Sequence, residues 1–306
     1  MEPTKSKVPR AAVQLYDLFI HGEISRRNFM DGLQKFAVGG LTAAALAEAL
    51  MPNYALGQQV RKDDDRIKAT YETIPSPQGN GSIRGYLVRP SSADTRNDKP
   101  SKLPGVIVVH ENRGLNPHIE DIARRFAMEN FMAFAPDGLT SLGGYPGDDY
   151  KGGQMFMKVD GKKMAEDFVA AANWLKSRAD CTGKVTATGF CYGGGVANTL
   201  AVRLGADLAA AAPYYGGPPA KDDVAKIKGA ILVHHGELDT RLAMSWPAYD
   251  AALTAAGVPH EGYIYPGAVH GFNCDATPER YNKAASTLAW ERTINWFNKY
   301  ARTANA

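Results

Sequence analysis

Hydrophobic positions fall into two kinds of run that take turns along the chain. Short continuous apolar runs occur at Gly105 to His110, Phe131 to Ala135, Lys184 to Phe190, Ala209 to Tyr214, Ala230 to His234 and Glu261 to Tyr265. Such runs suit strands buried on both faces. Between or after them, helical spacing appears at His118 to Asn130, Lys163 to Ser177, Gly193 to Leu204, Trp246 to Ala256 and Ala284 to Tyr300. The alternation predicts an α/β fold, a mostly parallel central sheet covered by helices. Before it, Lys68 to Thr73 and Ser82 to Val88 read as a hairpin around the turn-rich segment Ser76 to Gly81. Pro90 to Pro104 reads as a polar surface loop, and the glycine-rich stretch Thr140 to Gly161, with Tyr145 and Tyr150, as a cover over a site.

The first 57 residues follow a different pattern and are set apart from a main domain at 58–306. Arg26 and Arg27, with Phe29 two places later, precede an apolar stretch from Phe36 to Met51 and the small residues Ala55 and Gly57. The leading expectation is a twin-arginine signal that sends a folded protein to the bacterial periplasm. The alternative is an N-terminal helical extension, an amphipathic helix pair from Ser25 to Leu50, retained on a cytoplasmic protein. A long leading segment, residues 1–24, and Glu48 within the apolar run favour the alternative. No stretch has the ~18 unbroken apolar residues of a membrane span.

Composition narrows the partners. With 44% hydrophobic and 22% charged residues in 306, the chain has ordinary globular proportions, and its net charge of +3 with no basic stripe argues against nucleic acid. Its three cysteines, 181, 191 and 274, are too dispersed for a metal cluster, so no metal is expected. A bridge between Cys181 and Cys274 stays open. The oligomeric state leaves no readable signal.

Cys191 carries the chemistry. It lies in Gly189-Phe190-Cys191-Tyr192-Gly193-Gly194, between a predicted strand and a predicted helix, where glycines permit a tight turn that presents a nucleophile. A thiol nucleophile needs a base and a group that orients the base. Asp239 follows one strand in Gly236-Glu237-Leu238-Asp239, and His270 follows the next in Gly267-Ala268-Val269-His270. Nucleophile, acid and histidine thus occur in the order of α/β-hydrolases. Glu237 competes with Asp239, and His234 and His235 compete with His270. His21 and His260 read as surface positions, and His118 as support for the loop at Glu111. The run Gly193-Gly194-Gly195 lacks the Lys-Ser/Thr ending of a phosphate loop, so no cofactor is expected.

From Lys68 to Tyr300 the chain resembles the dienelactone hydrolase family, the carboxymethylenebutenolidases of the α/β-hydrolase fold. The resemblance rests on His110-Glu111-Asn112-Arg113-Gly114, the Cys191 segment, the Asp239 segment and Gly267 to Phe272. It implies a Cys191, Asp239, His270 triad with Glu111 contacting the resting thiol. The backbone N–H groups of Asn112 and Tyr192 would then form an oxyanion hole. It further implies a small ester or lactone as substrate. Arginines that hold a substrate carboxylate in that family have no match at Asn273 and Cys274; Arg113 and Arg241 are the substitutes, with Tyr145 a further substrate contact. A broader carboxylesterase or thioesterase, and a binding protein on the same fold without turnover, are the competing readings.

Overall fold

The computed structural model describes residues 8–38, 41–94 and 101–302. Residues 1–7 of the leading segment and 95–100 of the predicted Pro90 to Pro104 loop lie outside them. In chain order the elements are α1 (Arg10–Ile20), α2 (Arg26–Gln34), α3 (Ala43–Leu50), α4 (Tyr54–Gly57), β1 (Ile67–Ser76), β2 (Gly81–Pro90), β3 (Leu103–Val109), α5 (Pro117–Met128) and β4 (Met132–Pro136). They continue with α6 (Asp149–Phe156), α7 (Gly161–Ser177), β5 (Cys181–Phe190), α8 (Tyr192–Leu204), β6 (Ala210–Tyr214), β7 (Ala230–Gly236), α9 (Thr240–Ala255), β8 (His260–Tyr265) and α10 (Lys283–Ala301).

The strands form one sheet in the order β1-β2-β4-β3-β5-β6-β7-β8. The hairpin β1–β2 is antiparallel, in register from Ile67 opposite Pro90 to Ser76 opposite Gly81, and β2 joins β4 antiparallel. From β4 onward every pairing is parallel. Strand β3 shows why its sequence is apolar throughout. Val106 and Val108 enter the core on the α5 and α10 side, with Phe126 and Phe297, while Ile107 and Val109 enter the core on the α7 and α8 side, with Phe168 and Leu200. The two-residue period feeds both faces, so neither can be polar. The carboxyl ends of these parallel strands then converge on one edge, where the chemistry-bearing loops lie.

A third core belongs to the N-terminal arm. Ala12, Val13 and Tyr16 of α1 pack with Phe29 and Leu33 of α2 and with Leu46 and Leu50 of α3. Ser25 caps α2 by accepting from the Asn28 N–H at 3.1 Å, and Thr42 caps α3 in the same way from Ala45. The arm is tied to the main domain: Asn53 N–H donates to the Ala276 carbonyl at 2.6 Å, the Tyr54 hydroxyl to Asp149 at 2.6 Å and Arg125 Nη2 to the Gly57 carbonyl at 3.1 Å.

Several elements differ from the sequence expectation. Helix α1 occupies part of what reads as a leading segment, and the expected Ser25 to Leu50 pair is α2 and α3 with a break between them. Helix α9 starts at Thr240 and runs through Pro247, whereas its periodicity suggested a start at Trp246. The Thr140 to Gly161 stretch contains α6, capped by Asp148. Among the described residues no helix is long and apolar enough to cross a membrane.

Candidate active site

Cys191 sits between the end of β5 and the first turn of α8 with φ 55° and ψ −114°. A non-glycine residue holds that left-handed backbone only when its surroundings impose it. Here the Cys191 N–H donates to the Tyr214 carbonyl at 3.1 Å, and its own carbonyl accepts from Gly194 and Gly195 at 3.0 and 3.2 Å. The flanking glycines are required by close approach. A Cβ on Gly189 would stand 2.1 Å from the Gly193 carbonyl oxygen, and one on Gly193 would stand 2.4 Å from that of Val109. Both obstacles are backbone and cannot rotate away. Gly189→Ala is therefore expected to cost about 3 kcal/mol or more, lowering the melting temperature by roughly 6–12 °C in a calorimetric scan. A melting temperature within a degree of wild type would contradict this reading of the turn.

The acid and base meet across two strand ends. His270 Nδ1 is 2.5 Å from Asp239 Oδ2, and both side chains are buried. The competing residues are engaged elsewhere. Glu237 is exposed and accepts from the Gly267 N–H at 2.8 Å. His234 is buried between the Tyr265 hydroxyl at 2.9 Å and Thr293 at 3.0 Å, and burial pushes His235 down to about 4. With Nδ1 turned to Asp239, the nitrogen left to His270 for the thiol is Nε2.

The thiol has a further neighbour that sequence reasoning placed on the surface. His21, at the C-terminal cap of α1, brings its Nε2 to 3.2 Å from Cys191 Sγ. Its Nδ1 donates to the Asp17 carbonyl at 2.7 Å. With Nδ1 carrying hydrogen, Nε2 accepts from the thiol when the ring is neutral and donates to the thiolate when it is charged. The arm is pinned there by Asn112, whose Nδ2 donates to the Ile20 carbonyl at 2.6 Å. Cys191 Sγ, one ring nitrogen of His21 and one of His270 all lie within 4.8 Å of one another.

Charge in this cluster favours thiolate. Burial opposes ionisation of Cys191, but the positive charge of His270 and the hydrogen bond from His21 outweigh it and bring the thiol down to about 6. Burial likewise opposes a charge on His270, yet the thiolate and Asp239 hold its pKa well above the usual imidazole value. Asp239, despite burial, is kept below the usual carboxylate range by His270. Alkylation by iodoacetamide should consequently rise with pH about a midpoint near 6. An ordinary thiol would give about 8.5, and that value would contradict the ion pair. Cys274 does not compete, because burial pushes it up to about 12. Cys181 and Cys274 are both free and buried, so the bridge left open by the sequence does not form.

The loop after β3 is rigidly held. His110 Nε2 accepts from the Gly138 N–H at 2.9 Å while Nδ1 donates to the Glu111 carbonyl, an arrangement of the neutral ring that burial also favours. Glu111 was expected against the resting thiol. Its carboxylate is buried in the field of Arg280, Arg113 and His118, which overcomes burial and keeps it ionised, and His21 makes a hydrogen bond to the sulfur. Arg113 is buried with Nη1 3.4 Å from Asp149, whereas Arg241 is exposed. Tyr145 donates its hydroxyl to Asp149 at 2.8 Å and lines a separate cavity between the arm and α6. Tyr192 opens α8, its ring edge-on to Phe156. Arg280, which no motif singled out, is buried beside the site with its guanidinium 5.0 Å from the Tyr16 ring centre.

His21 lines two cavities. One of about 570 Å3 is lined by Phe19, Ile20, His21, Asn112, Arg113 and Phe156 among others. Another of about 450 Å3 lies against His21, Asp239, Arg241, His270 and Arg280.

The chain is similar to known proteins in sequence and fold. Residues 83–301 match the dienelactone hydrolase family, and residues 2–37 match a separate family described as YqhI-like. The "Putative hydrolase fragment YghX" of Escherichia coli K12 is 54% identical over 120 residues, 39% of this chain and 97% of that protein. The "Putative carboxymethylenebutenolidase" of Escherichia coli O157:H7 is 32% identical over 79% of this chain and 90% of its own length. The crystal structure of the "Putative Dienelactone Hydrolase" of Klebsiella pneumoniae subsp. pneumoniae MGH 78578 superposes with a TM-score of 0.65 at 28% identity, covering 76% of this chain and 99% of that one. The elbow at Cys191, the strand order and these matches lead to one assignment: the chain is a carboxylic ester hydrolase of the α/β-hydrolase superfamily and belongs to the dienelactone hydrolase family.

Proposed function

We propose that the enzyme hydrolyses a lactone or small carboxylic ester through a covalent thioester on Cys191. The observation that carries this reading is the 2.5 Å pairing of His270 with Asp239 beside a thiol held in a strained strand-to-helix turn. Thiolate attacks the carbonyl carbon, and charge develops on the carbonyl oxygen where the backbone N–H groups of Asn112 and Tyr192 serve as donors. His270 gives its proton to the departing alkoxide, which in a lactone stays attached to the acyl group. It then takes a proton from water, the hydroxide attacks the thioester, and the thiolate leaves. Asp239 keeps the imidazole oriented throughout. The ionised Glu111 carboxylate balances part of the positive charge of Arg280 and Arg113.

A substrate carboxylate is supported by two buried arginines. Arg113 Nη2, and Nε and Nη1 of Arg280, are buried without a hydrogen-bond partner, and each of the two cavities lined by His21 meets one of these side chains. Guanidinium donors left open in this way suit a carboxylate. Hydrolysis of a dienelactone compared with a short neutral activated ester tests this directly. Preference for the dienelactone in kcat/KM is the expected result; preference for the neutral ester would favour a broad carboxylesterase or thioesterase. No turnover of either would favour a binding protein.

The arm is part of the same reading: we infer that residues 8–57 stay on the domain and that His21 moves aside when substrate enters. The arm's own core and its bonds from Asn53, Tyr54 and Gly57 to the main domain support retention. Export by the twin-arginine route is the competing proposal, with cleavage near Gly57. A protein of 33.0 kDa from the native cell fits the retained arm. Loss of about the first 57 residues would fit export with cleavage.

A further inference from the structure

We propose that Cys191, His270 and His21 together form a zinc site, closed by the arm, that stores the enzyme in an inactive state. Three features converge on it. The donor atoms are a thiolate and two imidazole nitrogens, a set that suits zinc, and they already lie within 4.8 Å of one another. In a tetrahedral site such atoms are roughly 3.3–3.6 Å apart, given the usual zinc–sulfur and zinc–nitrogen lengths. His21 Nε2 and Cys191 Sγ stand at 3.2 Å, and the remaining pairs, within 4.8 Å, must close to reach these lengths.

The two imidazoles are also dressed as zinc ligands are. His270 Nδ1 is bonded to a carboxylate, Asp239 Oδ2, and His21 Nδ1 to a carbonyl, Asp17 O. These outer bonds fix the tautomer with Nε2 free to ligate and raise its basicity. Finally, His270 Nε2 is buried and has no hydrogen-bond partner, although the residue is only 6% exposed. A ligand nitrogen of His270 lies within 4.8 Å of the sulfur and of a His21 nitrogen.

Charge balance supports a divalent ion. Zinc and one thiolate sum to one positive charge, which the adjacent Asp239 carboxylate neutralises. On binding, the metal displaces the proton carried on a charged imidazole Nε2, which goes to solvent, the sulfur being already a thiolate. No electron is transferred. The fourth position is open to water. The consequence for hydrolysis rests on the function proposed above, because a metal-bound sulfur is no longer a free nucleophile; the binding itself does not.

The test uses the full chain stripped with a chelator and titrated with zinc chloride against a chromophoric competing chelator. Cobalt(II) serves as a spectroscopic probe. The expected result is one metal per chain, with a thiolate-to-cobalt charge-transfer band and the intense visible bands of a tetrahedral ion. Cys191→Ser should remove the charge-transfer band. Asp239→Asn should weaken binding by about 10–100-fold as an outer-shell change, and His21→Gln or His21→Ala, each losing a ligand, by at least about 100-fold. Circular dichroism and a thermal melt establish that the His21 variants are folded, and His21→Gln retains nearly the size of the ring. Absence of binding by the wild type overturns the proposal. So does zinc binding with undiminished affinity in His21→Gln, or a cobalt spectrum without the thiolate band. Turnover by the metal-free enzyme is measured separately, so failure of the zinc site and failure of the hydrolase reading remain distinguishable.

Discussion

Cys191→Ala is expected to lower kcat by about 10⁶-fold for any substrate the enzyme turns over, the size of loss seen when the nucleophile is taken from a preorganised hydrolase. The residue supplies the bond-forming atom, and nothing near it replaces a thiolate. Cys274, four residues after His270, is buried and held protonated with a pKa near 12, and Cys181 is buried at the start of β5. Alanine removes little volume, and the elbow's backbone bonds to Tyr214, Gly194 and Gly195 do not involve the side chain. The variant should therefore fold and melt close to wild type. Rates measured with the dienelactone and the neutral ester check the prediction; a loss below 100-fold would mean that another group attacks the carbonyl.

Asp239→Asn is expected to lower kcat by about 10⁴-fold with little change in KM. The amide can offer its N–H₂ to His270 Nδ1, which then accepts, and the ring is forced to carry hydrogen on Nε2 while it is neutral. That tautomer cannot take a proton from water at Nε2. The variant also loses the carboxylate that stabilises imidazolium, so the ion pair with Cys191 weakens. Its alkylation midpoint should move upward from about 6, toward that of an ordinary thiol. Both readouts follow from one cause, the 2.5 Å contact between Asp239 and His270. A variant with near-normal kcat would shift the orienting role to another group, although Glu237 is occupied by Gly267.

Much of the fold was legible because burial on two faces leaves a plain mark. Strand β3 is apolar at every position since both of its faces enter a core, and the glycines around Cys191 are those whose Cβ would strike backbone. The hairpin β1–β2 was legible from its turn. The starts of helices were less so: Pro247 falls inside α9 and obscures its first turns, and the glycines of α6 leave no periodicity.

His21 was not legible at all. Its neighbours Ala12, Val13 and Tyr16 do recur at helical spacing, but that pattern says only that α1 buries a face. Which face meets which surface depends on contacts between residues 170 positions apart, and a histidine at a helix end carries no local sign of them. Arg280 was missed for a similar reason: it lies in the loop before α10, outside any motif, and reaches the site because that loop folds back under Tyr16 and Glu111. The charge on Glu111 is favoured by Arg280 and Arg113, and His21 makes a hydrogen bond to the thiol.

Rapid acid quench of the wild-type enzyme with its ester substrate, followed by intact and peptide mass measurement, detects the covalent intermediate itself. A transient mass increase equal to the acyl group is expected, located on the peptide containing Cys191 and lost as turnover ends. Turnover without any such adduct, or with the adduct on another residue, would contradict a covalent thioester at Cys191.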